Sequence, residues 1–395
     1  MDSIVFYQKF MKRILIFFIF FVFFALHDFP RCYSMGMNEE IASVMSKYHS
    51  IGLSVAVVKN NRICYTSSFG YNPDYSDTTK RNPIPENGVY VIQSISKTFV
   101  STAIMQLVER KLVKLDDDVN KYLAFIVRNP KYPDIPITIK MLLAHYSSLN
   151  DSKYGWHLRQ INPATNDKYQ ECYNGYPPGA EFAYCNLAYS LLGAIVENVT
   201  GKRFYDYIDE NITMPLGLRA SYDLTKIDST LIVKAYIYDQ KKQKYVVDNS
   251  IYDYQFFRDA KKNYKLGYSA ACFSPTGGMK ISVVDLAKYM MMHMNYGTYN
   301  GVKILSKESE LEMWKQIGTH KWRYGLAFSR YGGMVEDYEP IGMTGGSHGI
   351  HSGMFFNPEE KYGFVIICNG CTSKSSVGFD MSREIVRILY KHLIK

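Results

Sequence analysis

Strand-like sequence is concentrated toward the two ends of this chain, and that distribution restricts the fold more than any other feature. Leu53–Lys59 and Ile63–Phe69 are β-rich and separated by Asn60-Asn61, a two-residue hairpin signal. Tyr324–Ser329, Met354–Asn357 and Tyr362–Cys368 have the same character near the C-terminus. From about Leu112 to Ala271 the pattern is instead helical: Ile139–Ala144, Leu187–Val199 ended by Gly201, and Phe204–Ile212 ended before Pro215. Further helices are expected over Asn38–Tyr48, over Ser96–Lys111 with Phe99, Ala103, Ile104, Leu107 and Val108 at buried-helix spacing, from a Ser282 cap through Met294, and over Val377–Leu393. The expected fold is therefore α+β: one antiparallel sheet built from both chain ends, flanked by helices and carrying a mainly helical insertion at about 112–271. A cleft between sheet and insertion is the natural site.

The N-terminus carries Lys9, Lys12 and Arg13 before the uncharged run Ile14–Leu26. About 13 apolar residues fall short of the roughly 20 that a helix needs to span ~30 Å of hydrocarbon, so this run reads as an export signal. Cleavage after Ser34, with Cys32 and Ser34 as the small flanking residues, gives a signal peptide of 1–34 and a mature domain of 35–395, periplasmic or secreted. Membrane contact is then expected only through that signal. The formal charge of +9 falls to about +7 when the four basic and two acidic residues before Met35 are set aside. It is spread thinly: Lys241, Lys242 and Lys244 read as a solvated hairpin or loop, and no stripe suits a nucleic acid. No Cys/His cluster has zinc spacing, and Cys368-x-x-Cys371 lacks the following helix that would activate a redox thiol. Cys172 and Cys185 flank the Pro177-Pro178-Gly179 turn. A disulfide there would close a loop of about 14 residues and stabilise by roughly 3 kcal/mol on the chain-entropy account; a buried free thiol at Cys185 is the alternative.

Chemistry enters with Ser94-Ile95-Ser96-Lys97, placed where the buried helix begins. One helical turn brings position i+3 over position i, so the Lys97 amine can approach the Ser94 hydroxyl. Helix-N-terminal amides also favour negative charge developing beside the serine. Alone, the spacing is common by chance, and an N-cap serine with a surface lysine is its ordinary meaning. Tyr184-Cys185-Asn186 is the second motif; in an extended or turn segment, residues 184 and 186 present a phenol and an amide to one side. A serine hydroxyl is a poor nucleophile until a neighbour removes its proton. A lysine of ordinary pKa, about 10.4, needs a drop of roughly 3 units to act as that neighbour at neutral pH, which requires a partly buried site. Tyr184 faces the same difficulty, and a nearby Lys97 cation would help it ionise.

Val91-Ile92-Gln93-Ser94-Ile95-Ser96-Lys97-Thr98-Phe99, Leu115-Asp116-Asp117-Asp118-Val119, Met141-Leu142-Leu143-Ala144-His145-Tyr146-Ser147-Ser148-Leu149 and Pro177-Pro178-Gly179 with the following Phe182-x-Tyr184-x-Asn186 and Leu191-Leu192-Gly193 occur in that order. Together they resemble the serine β-lactamase-like family, which includes class C β-lactamases, D-amino-acid peptidases, carboxypeptidase-type penicillin-binding proteins and related esterases. The resemblance runs from about Gly52 to Gly370. It implies Ser94 as the acylated nucleophile, Lys97 as its proton partner, Tyr184 as general base and acid, and Asn186 as a contact to the substrate amide or to Lys97, with no cofactor. The family's third motif is a strand-borne Lys-Thr-Gly or His-Thr-Gly. It is matched best by Met343-Thr344-Gly345-Gly346, which puts Met343 where a cation is expected. In this register the Gly346 amide joins the Ser94 amide as an oxyanion hole. His348 and His351 either reach into the cleft or are ordinary loop and strand residues. The implied protein is an exported hydrolase forming an acyl-Ser94 intermediate on a small-molecule or peptide ester, amide or lactam. Two other readings are a D-amino-acid peptidase or DD-carboxypeptidase acting on cell-wall peptides, and a non-catalytic ligand-binding member. Met343 encourages the last; the joint presence of Ser94, Lys97 and Tyr184 opposes it.

Overall fold

The strands of the two chain ends pair into one six-stranded antiparallel sheet in a computed structural model that describes residues 31–73, 81–151, 157–248, 250–372 and 375–395. β1 (Gly52–Lys59) and β2 (Arg62–Gly70) come from the N-terminal side; β3 (Ser329–Arg330), β4 (Ile341–Ser347), β5 (Ile350–Asn357) and β6 (Tyr362–Asn369) come from the C-terminal side. The order across the sheet is β3-β4-β5-β6-β1-β2, so β1 and β6 form the seam that joins the ends. Asn60 and Asn61 both adopt left-handed backbone, with φ of 52° and 60°, as a two-residue hairpin turn requires. The expected export run, Ile14–Leu26, lies outside the described residues. Among those residues, no helix is long and apolar enough to cross a membrane.

Among the described residues the chain divides after Ser43 into two compact units. The first contributes the opening of helix α1 (Arg31–Lys47). In the second, α2 is Ser96–Glu109, α3 is Ile139–Leu143, α4 is Asn186–Thr200, α5 is Val283–Met294 and α6 is Ser375–Leu389. α5 and α6 cover opposite faces of the sheet. A Cβ placed on Gly363 would meet Met290 of α5, and one placed on Gly353 would meet Ser382 of α6. Phe356 pairs with Gly363 and lies three residues from Gly353, which puts the two glycines on opposite faces of the pleat. Both faces being covered explains why every residue of β5 and β6 is buried. Caps set the helix ends: the Ser282 hydroxyl accepts from the Asp285 amide to start α5, and Gly201, at φ 68°, closes α4 in the left-handed conformation.

Three local expectations differ from the structure. Of the strand-like Tyr324–Ser329 run only Ser329 joins the sheet, together with the following Arg330. Ala327 takes φ 69° and the Leu326 amide bonds to the Met313 carbonyl, which pulls the preceding residues out of a ladder. The α-helix begun at Phe204 ends at Ile208 and continues as a wider π turn over Asp209–Thr213. Cys172 and Cys185 are both buried free thiols, so the expected disulfide is not formed here; the Cys172 thiol is directed to the Gln160 carbonyl at 3.4 Å. The insertion also contains a hairpin, Tyr236–Asp239 with Lys244–Val247, whose turn carries Lys241 and Lys242 in solvent.

Candidate active site

Ser94 lies in a single 3₁₀ turn, Gln93–Ile95, that leads directly into α2. The turn is fixed from two sides. The Ile92 carbonyl accepts from the Ser352 hydroxyl of β5 at 2.7 Å, and the Ile92 amide donates to the Met279 carbonyl at 3.0 Å. Gln93 is held at φ 52°, a left-handed conformation that costs energy for a residue with a Cβ and recurs where a fold imposes local geometry.

One helical turn on, Lys97 is completely buried and its amine reaches three oxygens. It lies 3.2 Å from Ser94 Oγ, 2.9 Å from Asn186 Oδ1 and 2.7 Å from the Thr276 carbonyl. Burial drives its pKa from 10.5 down to about 7, with the Asp151 carboxylate opposing part of that fall. The drop the sequence demanded is therefore present, and desolvation causes it. Lys280 shows that a lowered pKa alone does not mark a site: it too is buried and lowered to about 7, yet its amine bonds to the Tyr222 carbonyl and not to a serine hydroxyl.

Tyr184 leans over this pair. The Lys97 amine is 5.0 Å from its ring centroid, and the residue as a whole stays 39% exposed. Its hydroxyl end is packed inward, where burial pushes ionisation up while a hydrogen bond with Ser94 pulls it back only in part. Lys97, not Tyr184, is thus the group that reaches its neutral, proton-accepting form near pH 7. Asn186 is the first residue of α4, not part of an extended segment. Its backbone amide and its side-chain amide both donate to Asp151 Oδ2, at 3.1 and 2.8 Å, so Asp151 caps α4 and turns the Asn186 carbonyl toward Lys97.

β4 forms the opposite wall. Its pairing with β3 covers only Ile341 and Gly342, so the edge from Met343 to Ser347 is open. Gly345 faces the Ser94 turn, and a Cβ there would stand 2.4 Å from the Ile92 carbonyl oxygen and 2.8 Å from Gln93 Cβ. Glycine is required for β4 to lie this close. Gly345→Ala is expected to displace the Ser94 turn and to slow any reaction at the Ser94 hydroxyl about 100-fold, the cost that misplacing reacting atoms by an ångström can carry. An alanine variant labelled at the wild-type rate would show that this approach does not set the geometry. Gly346 is the next residue on the same open edge. Met343 is buried, with its sulfur 3.9 Å from the Tyr324 hydroxyl, and the Thr344 hydroxyl lies 3.5 Å from that of Tyr331. Neither histidine replaces the missing cation. His348 pairs with Asp248 at 2.6 Å, and His351 bonds to the Thr372 carbonyl on the α6 face, where it shares a pleat position with Gly353.

The family pattern described as Beta-lactamase matches residues 37–380. The chain belongs to the Beta-lactamase family. Protein flp of Staphylococcus aureus (strain MRSA252) is 25% identical over 331 residues, 82% of this chain and 60% of that protein. The chain thus spans about 60% of the length of the curated relatives it matches first. A penicillin-binding protein homologue from Pyrococcus abyssi, solved as an octamer, superposes with a TM-score of 0.71 at 24% identity, over 91% of this chain and 77% of that one. A β-lactamase/D-alanine carboxypeptidase from Pseudomonas syringae gives 0.67 at 17% identity, over 92% and 99%. At these identities the likeness is one of fold, the mixed helical and antiparallel β-lactamase/transpeptidase arrangement described above. Within this Beta-lactamase fold, two groups at the site had no sequence signal, the Thr276 carbonyl and the Asp151 cap, and His145 lies in the Met141–Leu149 motif, which gave it no role. A carbonyl has no side-chain signature, and Asp151 acts across a contact remote in sequence.

Proposed function

We propose that the protein is an exported serine hydrolase that forms an acyl-Ser94 intermediate on uncharged esters or amides. The observation that carries the reading is the Lys97 amine, fully buried, 3.2 Å from Ser94 Oγ and brought down to about 7. A neutral Lys97 takes the Ser94 proton as Oγ attacks the acyl carbon. The Ser94 and Gly346 amides receive the oxyanion, and Asn186 holds the amine in line. The leaving group departs with a proton delivered through Tyr184, which regains one from the Lys97 ammonium. Water then enters by the same route in reverse, releasing the acid and restoring the Ser94 hydroxyl. The export part of the proposal rests on the Lys9–Leu26 pattern alone.

Substrate preference follows from the wall opposite Ser94. A cation on β4 would attract the carboxylate that β-lactams and peptide C-termini carry, whereas Met343 offers an apolar sulfur under Tyr324. A charge-assisted hydrogen bond is worth about 1.5 to 3 kcal/mol, or roughly 10- to 150-fold in rate or affinity. The wild type is therefore expected to hydrolyse a neutral nitrophenyl ester well and a penicillin poorly. Met343→Lys should raise kcat/KM for the penicillin about tenfold more than for the ester. Steady-state kinetics on both substrates checks this; efficient wild-type penicillin turnover with no differential gain would mean that another group already binds the carboxylate.

A further inference from the structure

The motif that carries His145 has no part in the chemistry above, yet its imidazole is fully buried against the proposed acid-base pair. Its ring centroid is 4.2 Å from that of Tyr184, 5.0 Å from Tyr324 and 5.3 Å from Tyr189. Two hydrogen bonds tie it to the residues on either side of Tyr184. The Ala183 amide donates to the His145 carbonyl at 2.8 Å, and the Cys185 amide donates to His145 Nδ1 at 3.1 Å. His145 itself sits at φ 62°, a left-handed conformation that histidine adopts more readily than most residues.

The second bond fixes the ring's chemistry. An Nδ1 that accepts from an amide holds a lone pair there, so the neutral ring carries its hydrogen on Nε2. Nε2 is buried with no hydrogen-bond partner among the described residues. A protonated ring would lose the Nδ1 acceptor and place a second cation beside Lys97; burial and Lys97 both hold the pKa of His145 well below its ordinary value. A fold retains an unsatisfied buried donor where the rest of the side chain is needed.

We propose that His145 is the positioning residue for Tyr184: its backbone carbonyl holds the Ala183 amide, its neutral imidazole holds the Cys185 amide, and its ring lies tilted against the phenol, so that the Tyr184 hydroxyl stays on Ser94. This rests on the serine-hydrolase reading of the site. His145 touches neither Ser94 nor substrate in this assignment and acts only through Tyr184.

Two variants separate the components. His145→Phe keeps a ring and removes the acceptor; His145→Asn keeps an acceptor near the Nδ1 position and tolerates the left-handed backbone. The measurement is hydrolysis of p-nitrophenyl butyrate, with phosphonylation by a fluorophosphonate, in which Oγ displaces fluoride from phosphorus, followed by intact mass, in wild-type and Tyr184→Phe backgrounds, with thermal melting as the check on folding. His145→Phe should lower kcat about 10- to 100-fold with KM changed by less than about threefold, and His145→Asn should recover most of that loss. In the Tyr184→Phe background, His145→Phe should change the rates of ester hydrolysis and of phosphonylation by less than about threefold, because residues that act through one another are not additive. Equal fold-losses in both backgrounds, or a full loss in His145→Asn that melts at the wild-type temperature, would overturn the inference alone. A wild type that neither hydrolyses the ester nor takes up the fluorophosphonate would overturn the serine-hydrolase reading, and the inference with it.

Discussion

Ser94→Ala is expected to reduce ester hydrolysis by about 1,000-fold or more while leaving the melting temperature close to that of the wild type. The chemical loss is large because the substitution removes the only atom proposed to bond to the acyl carbon, and no neighbouring group can substitute for it. The structural loss is small. The turn is held by the Ile92 backbone through Ser352 and Met279, not by the Ser94 hydroxyl. Lys97 also keeps its bonds to Asn186 and the Thr276 carbonyl. Two hydrogen bonds are lost, the 3.2 Å one from Lys97 and the one with Tyr184, about 1 kcal/mol each. A Ser94→Ala protein that hydrolyses the ester at the wild-type rate would show the nucleophile to be another residue.

Lys97→Arg should be nearly as damaging, about 1,000-fold, and it separates a base from a positive charge. If Lys97 served only as a cation, arginine would preserve much of the activity. As the base, arginine fails because it stays protonated throughout the accessible pH range. In the wild type, kcat/KM should climb about tenfold per pH unit below neutrality and level off above about 7, the value to which burial brings this amine. A pH profile unchanged by Lys97 substitution would remove the amine from the mechanism. Stability carries the same signature with a defined sign. The unfolded chain holds this proton up to about 10.5, while the folded one holds it only below about 7. Folding therefore carries the whole cost of the buried ammonium below about 7, part of it between the two values, and none above 10.5.

Much of the fold was legible because its signals are local. The Asn60-Asn61 turn, the Ser282 cap, the Gly201 stop and the helical spacing of Phe99 to Leu107 each act within a few residues, and each is found where the pattern placed it. The approach of Lys97 to Ser94 was legible for the same reason, since a single turn of helix produces it. Tyr324–Phe328 has strand composition but not strand structure, because a contact from Leu326 to Met313 and the backbone of Ala327 decide its path. The difference between Tyr184 and Lys97 as proton acceptors was not legible either. Both needed the same perturbation on paper, and only their surroundings show that burial moves the amine toward neutrality and the phenol away from ionisation. Asp151 belongs to this group: its side chain acts on Asn186, far along the chain, to cap a helix and orient an amide at once.

The central claim is that this site acylates at Ser94, and the most direct measurement is intact-protein mass after incubation with a fluorophosphonate, followed by peptide mapping. The account predicts a single adduct per chain, on the peptide containing Ser94, absent from Ser94→Ala and from wild type denatured before addition of the reagent. No adduct on the folded protein, or one mapped to a different serine or to a tyrosine, would contradict it.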